Sequence, residues 1–380
     1  MTQGGLSIAI VGAGIGGLAA AAALCRVGHD VRIYEQAQAF ARIGAGIQQS
    51  PNAVKVLRGL GLEPMLRELA FRPVTNLNRV FDTGEVKWER RMGEEIERQY
   101  GAPYFQLHRG DLHAALASLV PPEIVHRNRT LVGLDHDAEG VTLRFADGSR
   151  ATADLAIGAD GVHSVVREVL LGAEKPTFTG RVAYRTTYPA SLLKGTKIDD
   201  YAKWWGPDRH IVIYYVNPRR DEIYFVTSTP EPDFDVESWS AKGDLDVLRD
   251  AYRAFHPMVR AVIDACPEVH KWALFAREPL PRWSAERVTL LGDACHPMTP
   301  YMAQGAATAI EDAVVLSRCL DGVERDGIAT ALKRYEESRK ERTARIQQVS
   351  RLNDMEQIKA TVDSCYSYDA WTAPLADVAA

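Results

Sequence analysis

A glycine-rich loop near the start of the chain constrains its fold more than any other feature of the sequence. Ser7–Val11 is a short apolar run rich in β-branched residues, which is typical of a strand buried on both faces of a parallel sheet. The spacing GxGxxG follows at Gly12, Gly14 and Gly17, and the alanine-rich residues 18–26 favour a helix. In this motif the first glycine permits a tight turn, the second lets backbone approach a pyrophosphate, and the third lets helix pack on strand.

An acidic residue supports the same interpretation. Residues 31–35 have the pattern of a second strand and end in Glu35, about twenty residues beyond the glycines, where a carboxylate can bind ribose hydroxyls. We predict a dinucleotide site here, with a purely structural glycine-rich turn as the alternative. The motif does not separate NAD from FAD, because both present the same ADP half to the loop.

Composition and charge argue against several classes of protein. The chain has 380 residues, 46% of them hydrophobic and 25% charged, as in ordinary globular proteins. A formal net charge of -5 provides no basic field for nucleic acid. The short basic runs, Arg127 with Arg129 and Arg339 with Lys340 and Arg342, are predicted to lie on solvated faces.

The cysteines and the hydropathy of the chain indicate the cellular compartment in which the protein is expected. The five cysteines are scattered and lack CxxC spacing, and the adjacent Cys295 and His296 are poorly spaced for zinc, so we predict no metal and no disulfide framework. A reducing, cytoplasmic setting follows. Residues 6–25 carry no charge over a length that spans a bilayer, but their central glycines divide them into strand and helix. We therefore predict neither a membrane span nor a signal peptide.

Two further motifs at strand ends make the prediction specific. A DG pair, Asp160 and Gly161, follows an apolar strand-like run, and a GD pair, Gly292 and Asp293, follows another. Together with the N-terminal GxGxxG, in this order and over nearly the whole chain, these motifs resemble the flavoprotein aromatic hydroxylases of the para-hydroxybenzoate hydroxylase type. The resemblance implies bound FAD, with NADH or NADPH as a transient co-substrate that has no Rossmann domain of its own.

The resemblance also implies which residues bind the ADP half of FAD. The glycine loop would hold the pyrophosphate and Glu35 the adenosine ribose, while Leu131 would contact adenine through its backbone or simply be a core residue. The full set of predicted cofactor-binding residues is Gly12, Gly14, Ile15, Gly17, Glu35, Gln36, Arg42, Arg109, Leu131, Asp293, Gly305 and Ala306.

The remaining members of this set are implied for the flavin half. Arg42 and Arg109 would contact the flavin side and the phosphates, although Arg42 as a surface charge is the alternative. Asp293 would bind the ribityl chain, and a helix that opens near Gly305 would direct its positive end at the flavin pyrimidine ring. Asp160 would support the fold and the approach of the reductant, and the hydroxyl of Ser164 would cap the following helix.

The expected fold class is α/β. A Rossmann-like FAD-binding domain of the glutathione-reductase type carries an inserted, mostly antiparallel sheet for the substrate, and helices form the C-terminus. We predict these segments: FAD-binding domain, 1–71, 101–176 and 277–330; substrate domain, 72–100 and 177–276; C-terminal helical segment, 331–380.

One strand of the inserted sheet offers candidate substrate residues. Period-two alternation in residues 210–216 places His210, Val212 and Tyr214 on one face. If that face lines the cavity, His210 and Tyr214 can orient a hydroxylated ring and help to remove its proton. The alternative is that Tyr214 packs within the sheet and His210 is a surface histidine.

Short strings narrow the resemblance to one branch of the family. Residues 203–205, 292–298 and 302–306 are most similar to 6-hydroxynicotinate 3-monooxygenases, which are themselves similar to salicylate hydroxylases. Where the first group carries a histidine proposed as base, this chain has Gln48, and where it carries a second histidine, this chain has Tyr301. Glutamine is no general base near neutral pH, although it can hydrogen-bond a ring hydroxyl or nitrogen.

The predicted substrate and catalytic residues follow from these comparisons. Gln48, His210 and Tyr214 are the catalytic candidates, and the same three with Tyr301 and Met302 are the substrate-binding candidates. The oligomeric state is expected to be a monomer or homodimer.

The resemblance implies a monooxygenase that consumes NAD(P)H and O2. Oxygen would add at flavin C4a, and the hydroperoxide would hydroxylate a hydroxylated aromatic or heteroaromatic carboxylic acid like 6-hydroxynicotinate or salicylate, with loss of CO2. The alternatives are a hydroxybenzoate hydroxylase that does not decarboxylate, an FAD-dependent lipid or isoprenoid reductase or epoxidase, and a non-catalytic flavin redox sensor.

Overall fold

The computed structural model describes residues 5–40, 45–234, 241–352 and 354–378, which form an α/β fold. The strands are β1 (Ser7–Val11), β2 (Asp30–Tyr34), β3 (Gly46–Gln49), β4 (Thr75–Val80), β5 (Val86–Arg91), β6 (Phe105–His108), β7 (Val125–His126), β8 (Leu131–His136), β9 (Val141–Phe145), β10 (Arg150–Ala153), β11 (Leu155–Gly158), β12 (Thr177–Pro189), β13 (Tyr201–Trp205), β14 (His210–Tyr215), β15 (Glu222–Pro230), β16 (His270–Ala276), β17 (Ser284–Ala285) and β18 (Val288–Leu290). The helices are α1 (Ile15–Arg26), α2 (Pro51–Gly59), α3 (Glu63–Leu69), α4 (Gly93–Tyr100), α5 (Arg109–Ala117), α6 (Val165–Leu171), α7 (Leu245–Ala251), α8 (Pro257–Asp264), α9 (Gly305–Leu320), α10 (Ile328–Leu352) and α11 (Met355–Ser367).

A six-stranded sheet carries the glycine-rich loop. Its order is β17-β18-β11-β1-β2-β7, and only the edge strand β17 pairs antiparallel. Ile10 in the centre pairs with Ile157 on one side and Ile33 on the other, and all three are fully buried. Continuous apolar strands are expected in a parallel sheet because both of its faces are covered. The three motif-bearing strands β1, β11 and β18 are therefore neighbours.

Two small antiparallel sheets accompany this core. β8, β9 and β10 form one, and β3 pairs with β6 to form the other. Gly46 pairs with His108, and the backbone N–H of Arg109 donates to the carbonyl of Ala45. This pairing places the start of α5 beside the loop that precedes β3.

A seven-stranded sheet forms the second large layer. Its order is β16-β12-β15-β14-β13-β4-β5, with antiparallel pairing throughout except between β13 and β4. One of its faces packs on α7 and α8 through large apolar side chains such as Trp204, Phe225 and Tyr252. The expectation of an α/β fold with a mostly antiparallel second sheet is confirmed. The division into domains at the stated boundaries stays a prediction.

Two helices close the described chain, as expected. α10 packs on α9, and α11 begins after Asp354, whose carboxylate accepts the backbone N–H groups of Glu356 and Gln357. Ile346 and Val349 of α10 pack with Met302 and Cys365. No helix in residues 5–40, 45–234, 241–352 or 354–378 is long and apolar enough to cross a membrane.

The expectation of a solvated face at Arg339 and Arg342 is wrong. Arg339 is 0% exposed and forms ion pairs with Glu311 (2.6 Å) and Asp312 (2.7 Å) of α9, and Arg342 reaches Glu311 at 2.8 Å. The physical reason is that α9 is buried together with its two acids, so the facing helix must supply cations.

Candidate active site

The glycine-rich loop has the geometry that phosphate binding needs. Gly12 adopts φ +101°, and a Cβ at Gly17 would lie 2.0 Å from the Gly12 carbonyl oxygen, so the loop and α1 are packed too closely for side chains. A Cβ at Gly14, by contrast, would meet nothing within 4 Å, which leaves open space before the N-terminus of α1. Ile15 is buried in the first turn of that helix. Free N–H groups and the helix dipole make such a terminus an anion site.

The acid of the second strand lies beside this loop. Glu35 accepts the backbone N–H of Ala13 at 2.7 Å and that of Ala37 at 2.8 Å. The next residue, Gln36, is exposed, whereas Leu131 is buried in the main core at the start of β8.

A cavity of about 730 Å³ contains the residues expected around the flavin. Arg109, Asp293, Gly305 and Ala306 all line it. Burial raises the pKa of Asp293, and electrostatic interactions with His296 and then with Arg109 oppose that rise. In the described part of the chain the Asp293 carboxylate has no hydrogen-bond donor, so it can accept bonds from ribityl hydroxyls.

These residues fit FAD. The loop offers anion-binding N–H groups, Asp293 offers an acceptor, and the N-terminus of α9 offers positive potential to the same cavity. Arg42 lies outside the described residues, so its predicted contact with FAD stays a prediction.

The DG motif contributes a hydrogen-bonded turn. Asp160 accepts the Ser164 hydroxyl at 2.6 Å and the backbone N–H of Val166 at 3.2 Å. Ser164 in turn accepts the N–H of Arg167 at 2.9 Å, which confirms the predicted cap of α6. Burial raises the pKa of Asp160. This arrangement orients the turn between β11 and α6.

The cavity-facing side of the seven-stranded sheet is organised in cross-strand rows. Tyr201, Tyr214 and Tyr224 pair across β13, β14 and β15 to form a phenolic row. The neighbouring row runs through Lys203, Val212, Val226 and Arg185, and all of these residues line the cavity. A third row contains Trp205, His210 and Ser228. Two small valines thus lie between larger polar and aromatic side chains.

The structure places His210 and Tyr214 together on this face. The His210 ring lies 4.9 Å from Trp205 and 5.5 Å from Tyr301, measured between centroids. Burial lowers the pKa of His210 well below its usual value, and Lys203 lowers it further, so the imidazole is neutral and weakly basic at neutral pH. Burial raises the pKa of Tyr214 well above its usual value, so its hydroxyl is a donor.

The other predicted substrate residues line the same cavity. Gln48 enters from β3, and Met302 is buried in the turn before α9. The Tyr301 hydroxyl lies 2.9 Å from the hydroxyl of Ser228, which ties this turn to the sheet.

Two cations in the cavity were missed by the sequence analysis. Lys203 is 8% exposed, and burial lowers its pKa to about 7. Arg185 is also buried, its guanidinium carbon lies 3.9 Å from the centroid of Trp272, and burial lowers its pKa to about 10. For Lys203 the available signal was a single lysine at an inward position of the otherwise apolar strand β13.

One buried cluster has residue types that bind metals. The ligand atoms of Cys295, His296 and Asp312 lie within 4.8 Å of one another. The Asp312 carboxylate, however, already contacts Arg339 at 2.7 Å and His296 at 2.5 Å. A guanidinium at this distance supplies the positive charge that a cation would bring, so the cluster is an ion-paired network that holds α9.

Comparisons with known proteins agree with this geometry. The model of a protein family described as "FAD binding domain" matches residues 6–350. The chain is 45% identical to the 6-hydroxynicotinate 3-monooxygenase of Bordetella bronchiseptica, over 99% of this chain and 98% of the relative. It is 41% identical to the enzyme of the same name from Pseudomonas fluorescens, over 97% of each chain.

A solved structure extends the likeness to three dimensions. Klebsiella pneumoniae HpxO, complexed with FAD and uric acid, superposes with a TM-score of 0.83 at 28% identity, covering 97% of this chain and 94% of HpxO. The predicted cofactor, FAD, is confirmed, and NAD(P)H is the co-substrate typical of the family. The chain therefore belongs to the family of proteins with this FAD-binding domain, and it is an FAD-dependent monooxygenase.

Proposed function

We propose that this enzyme hydroxylates a hydroxylated aromatic or heteroaromatic carboxylic acid, with loss of CO2. The observation that carries the proposal is Arg185, a buried cation on the wall of the cavity that also contains the flavin-side residues Arg109 and Asp293. A guanidinium on the cavity wall favours an anionic substrate, because it can donate charge-assisted hydrogen bonds to a carboxylate.

Arg185 suits a carboxylate in particular. Its pKa of about 10 keeps it charged at neutral pH, and its stack on Trp272 fixes the plane of the guanidinium. A planar fork of donors matches a carboxylate in geometry as well as in charge. Arg109 lies near enough to lower the Arg185 pKa further, so the proposed carboxylate would sit toward the flavin end.

The remaining cavity residues orient the ring. Val212 and Val226 form a small apolar floor, Tyr214 donates a hydrogen bond, and neutral His210 offers either a donor or an acceptor. Gln48 hydrogen-bonds a ring hydroxyl or nitrogen, while Tyr301 and Met302 line the cavity from the turn before α9. Bound FAD, once reduced by NAD(P)H, supplies the oxygen-activating chemistry.

Decarboxylation follows from where the carboxylate would be held. If the carbon that bears it faces the flavin end, hydroxylation at that carbon makes it tetrahedral. Cleavage of its bond to the carboxylate then releases CO2 and returns the bonding electrons to the ring, which becomes aromatic again. The similarity to two 6-hydroxynicotinate 3-monooxygenases supports this class of substrate.

The five cysteines, all free thiols, support our proposal of a cytoplasmic enzyme. A monomer or homodimer stays our expectation.

A substrate panel tests the proposal. NADH and NADPH oxidation, oxygen uptake and product mass are measured with FAD-loaded enzyme and 6-hydroxynicotinate, salicylate, 3- and 4-hydroxybenzoate and their decarboxylated analogues. We expect stimulated turnover with an acid, giving a product with one oxygen gained and one CO2 lost. A product that keeps its carboxylate would show a non-decarboxylating hydroxylase, and no stimulation by any acid would refute the proposed substrate class.

A further inference from the structure

Lys203 is a buried amine that lines the cavity and has no acidic partner among the described residues. Its Nζ lies 3.7 Å from the centroid of Trp205 and 6.0 Å from that of Tyr301. Among the residues that the structure describes, it has neither a hydrogen-bond acceptor nor an ion pair, and burial alone lowers its pKa to about 7. Nine-tenths of the side chain is buried, yet the residue lines the cavity.

Its surroundings on every packed element are neutral or positive. Asn78 pairs with it from β4, His210 is near it on β14, and Tyr301 faces it from the turn before α9. On β12, the charge of Arg181 acts on His210. No described carboxylate is available to hold Lys203 in the ammonium form, so the amine form is accessible at neutral pH.

The other candidates for a base are poorer. Tyr214 carries its own proton, His210 is held neutral with low basicity, and Gln48 cannot accept a proton near neutral pH. The reaction nevertheless needs an ionised ring hydroxyl, because electrophilic hydroxylation requires an electron-rich ring.

We propose that Lys203 accepts the proton of the substrate's ring hydroxyl and then binds the resulting oxyanion. This inference rests on the proposed function. The Nζ lone pair takes the proton, so an N–H bond forms as the O–H bond breaks, and the electron pair stays on the ring oxygen. The new ammonium and the oxyanion attract each other because Lys203 is largely buried from solvent, and Trp205 stabilises the ammonium through its π face.

The strand register then sets the orientation of the ring. Lys203 and Arg185 lie in one row, three strand intervals apart, or roughly 14 Å between backbones. Their long side chains lie on the same face and flank Val212 and Val226. A ring that spans them carries its hydroxyl and carboxylate at opposite ends, which is a para relationship.

A bound para-hydroxylated benzoate tests the proton transfer without turnover. The probe is 4-hydroxybenzoate, whose phenolate absorbs at longer wavelength than its phenol, added to FAD-loaded enzyme with no NAD(P)H present. The buffer lies one pH unit above the pKa of Lys203 and one unit below the solution pKa of the phenol. Difference spectra against ligand-free holoenzyme report phenolate, and an indicator dye reports protons released to the buffer.

Three variants separate the alternatives. Wild type should raise the phenolate-to-phenol ratio at least about tenfold over buffer with almost no proton release, since the proton stays on Lys203. Lys203→Arg keeps a permanent cation and should form phenolate with release of one proton per bound ligand. Lys203→Met should bind the phenol protonated. The matched control Lys87→Met removes an exposed lysine of the same sheet and should behave as wild type.

Several results would overturn the inference. Phenolate formation in Lys203→Met at the wild-type level would show that another group takes the proton. Stoichiometric proton release by wild type would make Lys203 a counter-ion only, and a loss of affinity for carboxylates without any change in the phenolate band would make it the carboxylate site. Because these readouts need no turnover, they stand apart from the substrate panel, whose failure would refute the proposed function instead.

Discussion

Arg339 of α10 and Glu311 of α9 form an ion pair of 2.6 Å from which solvent is fully excluded. Glu311 also accepts the amide of Asn52 at 2.6 Å, and Asn52 donates to Gln304 at 3.0 Å. Gln304 is the residue immediately before α9. The pair therefore anchors the helix whose first turn lines the cavity.

We expect Arg339→Met to destabilise the protein by about 3 to 5 kcal/mol, because it leaves Glu311 and Asp312 buried with too little counter-charge. Urea unfolding measures this loss. Arg351→Met, which removes an exposed pair with Glu278, is the control and should cost no more than about 1 kcal/mol. Similar losses in both variants would contradict the anchoring role.

Two glycine variants should separate folding from cofactor binding. Gly17→Ala places a methyl 2.0 Å from the Gly12 oxygen, so we expect a lower melting temperature and loss of FAD. Gly14→Ala has open space around its Cβ, so the apoprotein should melt as wild type does, while FAD affinity falls at least about tenfold because the methyl occupies the approach to the loop. Flavin fluorescence titration and thermal melts are the measurements. Unchanged FAD affinity in Gly14→Ala would place the pyrophosphate elsewhere.

Replacing Arg185 should discriminate between acids and neutral phenols. Arg185→Gln should weaken binding of a hydroxylated aromatic acid by about 10- to 100-fold, since a charge-assisted hydrogen bond is lost. Binding of the same phenol without its carboxylate should change little. Ligand titration of holoenzyme gives both dissociation constants, and equal losses for the two ligands would argue against a carboxylate at Arg185.

The stability cost of Lys203 should depend on pH. Burial lowers its pKa from 10.5 to about 7, so between these values the unfolded chain holds a proton that the folded chain lacks. The free energy of unfolding of wild type therefore increases as the pH rises over this range, and that of Lys203→Met does not show this increase. We expect Lys203→Met to be more stable than wild type, and the difference in free energy of unfolding should be about 2 to 3 kcal/mol larger near pH 6 than near pH 9. Urea unfolding at one fixed FAD concentration tests this, and a pH-independent difference would show a normal lysine.

Much of the fold was accessible from local sequence. The strand at Ser7–Val11 and the loop that starts at Gly12 can be recognised from the sequence, because β-branching, glycine spacing and helix propensity give the same prediction over adjacent residues. Alternation likewise predicted that His210 and Tyr214 share a face, because the period of a strand is two.

The remaining site residues depend on long-range pairing. Lys203 and Arg185 belong to β13 and β12, and only the register through β14 and β15 brings them into one row. Similarly, the burial of Arg339 depends on acids 27 and 28 positions earlier, on another helix. A charged side chain is usually exposed to solvent, but an ion-pair partner that is distant in sequence allows a residue such as Arg339 to be buried.

In the proposed substrate site, the two valines between Lys203 and Arg185 would separate the choice of substrate from the use of the cofactor. They belong to strands other than those that carry the glycine loop and α9, so a change at Val212 or Val226 would alter the length of ring that fits while the flavin end keeps its shape. Under the proposed function, this pair of positions is where an engineer would begin to retarget the enzyme.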